Sequence, residues 1–422
     1  MSERSSGWEL YRGVKNMLRC DEAEVVRGIA DYVLSQHRSL RFFSNLIDRT
    51  RNTPVPGLFG SMGLLRCFLC VKPDPRLDGV VWIARLSNER RAIEAMLPFL
   101  PDLHWAELKF HSRPDAAALR TVANKLSPRR IFKLVRRLRR YDFFKVLRVV
   151  EFIGYHSRYL QIFQNSDFKL AVMSSHSNPH GLAFNLAARK CGVPVVLITH
   201  GMPIRPVARL VYDMAVIHCE FARRIYSEEG SRIDHVLTHG RRQDYVPMPR
   251  QLPERLNVGI FLCKDVNEKR LQDLVTRLLA EPNVSSVRIR PHPKNLWVGL
   301  KDWVARQHEP RLNLSSGAPV FDDVRSVDVV LAGNSSVLID AITAGRPSGY
   351  VADLDHGPHD LHRFVESGLI YPLTDEWTPD SMLRFYQRPD WLNVLRVFAN
   401  IDESEETVAI KAAAMMRQLV AR

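Results

Sequence analysis

The sequence has no apolar segment of the length that crosses a membrane. A spanning helix needs about 20 predominantly apolar residues, whereas the most apolar early run, Gly57–Val71, is shorter and carries Arg66. The first residues, Met1 to Gly7, also lack the basic-then-apolar order of a secretory signal. These absences argue against a membrane-spanning or exported protein, and we expect a cytoplasmic one.

Cysteine is scarce and scattered, with six residues in a chain of 422. Cys67 and Cys70 form one CxxC pair, and no second pair completes the four ligands of a structural zinc site. Disulfide frameworks are typical of small secreted domains rather than of a long chain with scattered cysteines. We therefore expect reduced thiols and no cofactor or bound metal.

Positive charge is present in excess but is unevenly distributed. The net charge is +14, yet the residues from Gln251 onward have a balance of −3, so the residues before them carry +17. Such asymmetry points the first part of the chain toward an anionic partner, either a membrane face, a nucleic acid or a charged substrate. The alternative is that the charge only keeps the protein soluble.

Short apolar strands alternate with amphipathic helices, which is typical of parallel sheets covered on both faces. The predicted fold class is therefore α/β, with Rossmann-like doubly wound domains. The predicted strands are Val80–Ala84, His104–Phe110, Lys169–Met173, Val195–Thr199, Ala215–His218, Asn257–Cys263, Val284–Arg290, Val327–Ala332 and Pro347–Val351. The predicted helices are Glu89–Leu100, Gly181–Lys190, Phe221–Glu229, Asn267–Ala280 and Ser335–Ala344.

The pattern breaks at Pro247–Pro253, which has three prolines in seven residues and is typical of a stiff linker. The charge balance changes at the same place. We predict two domains, residues 1–250 and 251–422, with the last helix a candidate to pack back on the first domain. Ligands of such sheets bind beyond the carboxyl ends of the strands, so we expect a ligand cleft between the domains.

The first strand-end motif is Thr199-His200-Gly201. An imidazole titrates near neutrality and can take a proton from an attacking hydroxyl, while the glycine lets the backbone turn sharply. A histidine satisfied by a loop carbonyl is an equally good interpretation. Ser174, Ser175 and His176 follow the preceding strand and either line an acceptor site or form an ordinary polar loop.

The second motif surrounds His292, which two prolines hold in an extended loop after the strand Val284–Arg290. Arg290, His292 and Lys294 would cluster their donors at one point, as in a phosphate clamp. A merely basic loop is the alternative. Lys264 follows the first strand of the second domain and is a further candidate for a donor phosphate.

The third motif, Gly333-Asn334-Ser335-Ser336, precedes a predicted helix. A helix N-terminus offers backbone N–H groups and a favourable dipole to an anion, but serine and asparagine are also preferred as ordinary caps. Asp340, within that helix, reaches either a ribose or only solvent.

Together, the motifs resemble those of the GT-B-fold transferases of bacterial capsule, lipopolysaccharide and teichoic-acid synthesis. The resemblance rests on Thr199–Gly201, Arg290–Pro293 and Gly333–Pro347, and covers about residues 170–350. That group includes sialic-acid and Kdo transferases that use CMP-sugars, and glycerophosphotransferases that use CDP-glycerol. The resemblance implies donor contacts at His292 and at Ser335-Ser336, and a catalytic role for His200. The candidate donor-binding residues are His292, Arg290, Lys294, Asn334, Ser335, Ser336, Asp340 and Lys264. The candidate catalytic residues are His200 and His292.

Two further groups of side chains have competing interpretations. Glu228-Glu229-Gly230 is similar to an acidic pair of related sialyltransferases in which one carboxylate is the base, but it also fits a helix end capped by glycine. A second group has the residue types of a metal site: Asp355, His356, His359, Asp360 and His362. Transferases of this fold generally need no metal, so a solvated loop is favoured.

The segment Arg129–Arg140 has seven basic residues interleaved with apolar ones. On a helix its apolar residues would form one stripe, which suits either the anionic inner membrane face or the protein's own core. No nucleic-acid-binding module of known type is present.

The resemblance therefore implies a glycosyltransferase that moves a sugar from a nucleotide-activated, CMP-linked donor to a surface polysaccharide or lipid-linked acceptor, in the cytoplasm and peripherally on the inner membrane. The first alternative is a CDP-glycerol-type glycerophosphotransferase. The second is a non-catalytic GT-B scaffold.

Overall fold

The computed structural model describes residues 71–72, 78–110, 143–175, 178–203, 207–241, 244–293, 297–315 and 317–422. Their strands form two six-stranded sheets, in which every pairing is parallel, and one two-stranded antiparallel pair. The sequence-based prediction of two Rossmann-like doubly wound domains is confirmed. The segment Arg129–Arg140 and the residues His176 and Lys294 lie outside the described residues.

All strands of the first sheet precede residue 239 in the chain. Its unit contains the strands β1 Val71–Lys72, β2 Asp78–Ile83, β3 Trp105–Glu107, β4 Lys109–Phe110, β5 Asp167–Met173, β6 Val195–Ile198, β7 Val211–Ile217 and β8 Arg232–Thr238. Its helices are α1 Ser87–Glu94, a 3₁₀ turn Leu97–Phe99, α2 Phe143–Gln164, α3 Pro179–Lys190 and α4 Glu220–Glu228.

The second sheet is built after residue 255. Its strands are β9 Leu256–Phe261, β10 Val284–Arg290, β11 Leu312–Leu314, β12 Val329–Ala332, β13 Ser348–Tyr350 and β14 Tyr371–Pro372. The helices among and after them are α5 Glu268–Ala280, α6 Leu300–Arg306, α7 Val320–Arg325, α8 Val337–Thr343, α9 Pro379–Tyr386, α10 Trp391–Phe398 and α11 Glu405–Val420.

Strand order gives each sheet one place where the direction of winding reverses. The first sheet has the order β3-β2-β5-β6-β7-β8, and the second has β11-β10-β9-β12-β13-β14. Counted along the chain, the second is the 3-2-1-4-5-6 order of dinucleotide-binding folds, with its switch between β9 and β12. In the first sheet the switch lies between β2 and β5. Ligands of such sheets bind beyond the carboxyl ends of the strands at these points.

Both faces of the first sheet are buried, as the near-continuous apolar strands predict. Alternate residues of β2 separate the two cores: Val81 and Ile83 face α2, α3 and α4, whereas Val80 and Trp82 face α1 and α11. The last helix contributes its apolar stripe to this second core, through Val408, Ala409, Ala412, Ala413, Met416 and Leu419.

The chain divides into two compact units, one containing the described residues up to Thr238 together with Val408–Arg422, and the other containing His239–Thr407. The proline-rich segment Pro247–Pro253 has no regular structure and lies inside the second unit. Gln387 Nε2 donates hydrogen bonds to the carbonyls of Pro249 and Arg250, which ties the segment to the end of α9.

The helix predicted over Glu89–Leu100 is wrong in its second half. Helix α1 begins at Ser87 and ends at Glu94, and the 3₁₀ turn Leu97–Phe99 follows. Pro98 explains the break, because proline has no N–H to donate to the carbonyl of Glu94 and its ring clashes with the preceding turn. The strand predicted over His104–Phe110, which follows this helix in the chain, is likewise divided into β3 and β4 at Leu108.

None of the helices in the described part of the chain is both long and apolar enough to span a membrane.

Candidate functional site

The carboxyl edge of the second sheet brings together the loops that carry His292 and the two serines. Strands β10 and β12 flank β9, and their last residues, Arg290 and Ala332, are both in register with Phe261. Neighbouring strands lie about 4.8 Å apart, so the two strand ends are about 10 Å apart at the same level. The loop that carries the half-buried His292 therefore begins at the same edge as the loop that carries Ser335 and Ser336.

Arg290 has a structural partner that sequence alone did not indicate. Its guanidinium pairs with the carboxylate of Asp323 on α7, which is 3% exposed, and donates to the carbonyl of Ala318 at 2.7 Å. Ser315 donates a further hydrogen bond to the same carboxylate. A buried carboxylate needs such a cation, so Arg290 fixes the start of the His292 loop and has much of its charge already balanced.

Asn334 is also occupied by the protein itself. Its Nδ2 donates to Asp355 Oδ1 and to the carbonyl of Pro358, both at 2.9 Å, and its Oδ1 accepts from Leu361 N at 2.7 Å. Its backbone N–H donates to Asp355 Oδ2 at 2.8 Å. Asn334 therefore holds the turn before α8 against the loop after β13, and its contact with a donor stays a prediction.

Gly333 is required at this turn by close packing. A Cβ atom at Gly333 would lie 2.2 Å from Asp355 Oδ2, far inside van der Waals contact. Asp355 in turn accepts from Gly357 N at 2.9 Å. Burial of the thiol, together with the same carboxylate, raises the pKa of Cys263 to about 12. Asp355 is thus the common anchor of the loops after β9, β12 and β13.

The two serines differ in exposure. Ser335 is half-buried and its Oγ accepts a long bond of 3.4 Å from Val337 N, which makes it a weak cap of α8. Ser336 is exposed and its side chain makes no capping hydrogen bond. Asp340, half-buried, lies in the first turn of α8. The Ser336 hydroxyl is consequently the one presented at this edge.

Lys264 is exposed in the loop between β9 and α5. That loop starts at the switch point of the second sheet, and it is held by a hydrogen bond from Asn267 N to the carbonyl of Leu354 at 2.8 Å. The ammonium group is therefore available at the edge where an anion is expected.

The acidic and histidine residues of the loop after β13 serve the loop itself. Asp360 accepts hydrogen bonds from the backbone N–H groups of Phe364, Val365 and Glu366 at 2.7–2.9 Å. His359 contacts the Tyr350 ring edge-on, and burial lowers the pKa of His362. Among the described residues no group of His, Cys, Asp and Glu has the arrangement of a metal site.

The carboxyl edge of the first sheet carries His200. Ser174 directly follows β5 and His200 lies two residues beyond β6, strands that pair in register at Met173 and Leu197. Ser174 Oγ lies 3.0 Å from His200 Nδ1, while the His200 residue as a whole remains exposed. The pairing of β5 with β6 thus brings the Ser174 hydroxyl and the His200 ring into direct contact.

The charge state of His200 reflects two opposing effects. Partial desolvation of the ring lowers the pKa of His200 below its ordinary value of 6.5, against the nearby negative charge of Glu89 and a hydrogen bond to the backbone of Ser174, both of which raise it. Desolvation disfavours the charged form, so the imidazole is neutral at physiological pH and can accept a proton.

Glu89 was missed by the sequence reasoning. It is 2% exposed, and its Oε2 accepts from the backbone N–H groups of Arg85 and Leu86 at 2.7 and 3.2 Å at the start of α1. In the sequence it was indistinguishable from an ordinary glutamate in the first turn of a helix. Only the sheet order, which places β2 beside β5, brings it near His200.

Ser175 belongs to the start of α3 rather than to His200. Its Oγ accepts from Asn178 Nδ2 at 2.6 Å, and Asn178 Oδ1 caps the helix by accepting from Gly181 N at 2.8 Å. A Cβ at Gly181 would lie 1.9 Å from the carbonyl oxygen of Ser175. Ser175 and Asn178 are therefore held against the start of α3.

The suggestion that Glu228 or Glu229 lies at the acceptor side is wrong. Helix α4 leads from the carboxyl end of β7 to the amino end of β8, so its last residue, Glu228, lies at the sheet edge opposite to His200. Gly230, with φ of +87°, ends the helix as the glycine cap that the sequence also allowed.

No protein-family model matches the chain, and no curated protein does either. Among solved structures, the calicheamicin glycosyltransferase CalG4 aligns with 83% of this chain and 99% of its own, at 11% identity and a TM-score of 0.49. The glycotransferase of kitacinnamycin aligns with 82% and 100%, at 11% and 0.48. MurG of Acinetobacter baumannii aligns with 82% and 100%, at 11% and 0.44. Likeness at this level carries no conclusion about activity, and the fold assignment stands on the two sheets themselves.

Proposed function

We propose that the protein is a glycosyltransferase that moves a sugar from a nucleotide-activated donor, CMP-linked, to a bacterial surface polysaccharide or glycolipid. It works without a metal or other cofactor. The observation that carries the proposal is His200, held 3.0 Å from the buried Ser174 hydroxyl at the carboxyl edge of one doubly wound unit, in a chain whose other unit has the dinucleotide-binding strand order.

The second unit is the proposed donor site. Its switch point lies between β9 and β12, where nucleotides bind in folds of this order. Ser336 and Lys264 are exposed at that edge, and His292 lies two residues beyond the end of β10 at the same edge. These groups can donate hydrogen bonds to a phosphate. Arg290 and Asn334 hold the loops in place, which pre-organises the donors.

The first unit supplies the proposed base. His200 Nε2 takes the proton of the acceptor hydroxyl as its oxygen attacks the anomeric carbon of the donor sugar. The bond between that carbon and the phosphate oxygen breaks, and its electron pair leaves with the nucleotide. Hydrogen-bond donors at His292, Ser336 and Lys264 stabilise the negative charge of the departing group, as donors aimed at developing charge do.

The choice of cytidine and of a surface-polysaccharide acceptor rests on the sequence motifs. The same residues would serve transfer of phosphoglycerol from CDP-glycerol, in which the acceptor oxygen attacks phosphorus instead. Product analysis separates the two reactions, because one yields a new glycosidic bond and the other a new phosphodiester. Peripheral binding to the inner membrane through Arg129–Arg140 is part of the proposal, and it predicts sedimentation with anionic vesicles that is lost on substituting those basic residues.

The test combines binding and turnover. Thermal shift with CMP, CDP, UDP and GDP identifies the nucleotide, because a ligand of the native state raises the apparent stability. His200→Ala should then lower transfer by about 10²–10⁴, the usual share of general base catalysis, and leave the nucleotide shift unchanged. His235→Ala, which removes an exposed histidine of β8, is the matched control. If His200→Ala loses binding and turnover together, His200 is a ligand of the donor; if no nucleotide binds and no sugar nucleotide is consumed, the protein is a non-catalytic scaffold.

A further inference from the structure

The surrounding structure holds Ser174 and His200 in contact. Ser174 is 1% exposed at the end of β5, and its Oγ lies 3.0 Å from His200 Nδ1. The backbone beside it is fixed, because the carbonyl of Ser175 leaves no space for a side chain at position 181 of α3. A buried hydroxyl held in this way constrains the orientation of the ring.

The contact leaves one nitrogen of the ring for chemistry. Nδ1 faces the buried hydroxyl, so Nε2 is the nitrogen left for a substrate on this exposed residue. A neutral imidazole has one protonated nitrogen and one with a lone pair. A serine hydroxyl can donate or accept, and the two possibilities give opposite states at Nε2.

We propose that Ser174 is a positioning residue whose hydroxyl accepts the Nδ1–H of His200 and thereby holds the tautomer with the lone pair on Nε2. This inference rests on the proposed function, in which His200 acts as the base and needs that lone pair. If the hydroxyl donated instead, Nε2 would carry the proton and could not accept one from a substrate.

Glu89 complements this arrangement without contacting the ring through a hydrogen bond. Its carboxylate is buried and held by two backbone N–H groups, and its negative charge favours protonation of His200. When Nε2 takes a proton, the imidazole becomes a cation with both nitrogens protonated. Ser174 then still accepts from Nδ1, and the nearby negative charge stabilises the cation.

The test is a direct determination of the tautomer in the full-length protein. Two-bond ¹H–¹⁵N correlations of ¹⁵N-histidine-labelled protein, recorded well above neutral pH and assigned with His200→Gln, show which nitrogen is protonated. Wild type should have the proton on Nδ1. Ser174→Ala should shift it toward Nε2, the tautomer preferred by free imidazole side chains in water, and Ser174→Thr should retain Nδ1–H. Ser175→Ala, which alters the neighbouring serine, is the matched control and should leave the spectrum unchanged.

Kinetics give a second readout once a donor is known. Ser174→Ala should lower kcat by about 10²-fold or more with little change in the KM of the donor, because the wrong tautomer removes the base, and Ser174→Thr should recover most of the loss. Wild-type His200 with its proton on Nε2, or an unchanged tautomer in Ser174→Ala, overturns the inference even if transfer itself is established. Absence of any transfer leaves the spectroscopic result standing and refutes the proposed function instead.

Discussion

Replacing His180 by phenylalanine should make the first unit markedly less sensitive to acid. His180 is the second residue of α3 and is 1% exposed, with its ring against Tyr155 and Tyr159 at centroid distances of 5.3 and 5.6 Å. Burial, with a smaller contribution from the positive charge of Arg85, lowers its pKa from 6.5 to about 3. The helix N-terminus would also disfavour a cation there.

The size of the effect follows from this difference in pKa. The unfolded chain binds a proton at His180 near pH 6.5, whereas the folded chain does so only near pH 3. Between these values the unfolded state holds more protons, so the free energy of unfolding falls by about 1.4 kcal/mol for each unit by which the pH is lowered. The whole interval amounts to on the order of 5 kcal/mol, and between pH 6.5 and 5 the loss is about 2 kcal/mol.

Urea unfolding of wild type and His180→Phe at pH 7.5 and at pH 5, followed by far-UV circular dichroism, measures the effect. Wild type should lose about 2 kcal/mol more than the variant over this range. Phenylalanine retains the ring contacts, and the exposed His235→Phe serves as the control that should behave like wild type. Equal losses of unfolding free energy in wild type and His180→Phe would refute the reasoning. They would show that the pKa of His180 is the same in the folded and unfolded states.

Two other predictions test the two sheet edges. Glu89→Gln keeps an oxygen for the backbone N–H groups just before α1 but removes the charge, so the pKa of His200 should fall further and the acid limb of kcat/KM should move to lower pH. Glu94→Gln, on the exposed side of the same helix, is the control and should leave an NMR titration of His200 unchanged. An equal pKa of His200 in both variants would contradict the assignment of Glu89. Gly333→Ala forces a methyl group against Asp355 Oδ2, so it should lower the free energy of unfolding by about 1–3 kcal/mol and abolish the nucleotide-induced thermal shift. Gly201→Ala, whose Cβ meets no atom within 4 Å, is the control and should leave stability nearly unchanged. A normal thermal shift in Gly333→Ala would show that the turn after β12 is not part of the donor site.

The alternation of apolar strands with helices determined the fold class, because a strand buried on both faces must be apolar throughout and such strands occur in parallel sheets. Strand β10 was predicted with its observed limits, Val284–Arg290, since the alternating β-branched and charged residues Val287–Arg290 end at a proline. The motifs at His200, His292 and Ser335 were visible for the same reason: chemistry-bearing residues follow directly on predicted strands.

Only the tertiary structure decided which of those side chains are available for chemistry. Arg290 meets Asp323 33 residues later, Asn334 meets Asp355 21 residues later, and Ser174 meets His200 26 residues later. Strand order produces these pairings, and the same local sequences would be compatible with other orders. Glu89 and Glu228 show the two directions of the error. Both are glutamates near helix ends, but one helix starts at the carboxyl edge of its sheet and the other ends at the amino edge, and that difference exists only once the strands are assembled.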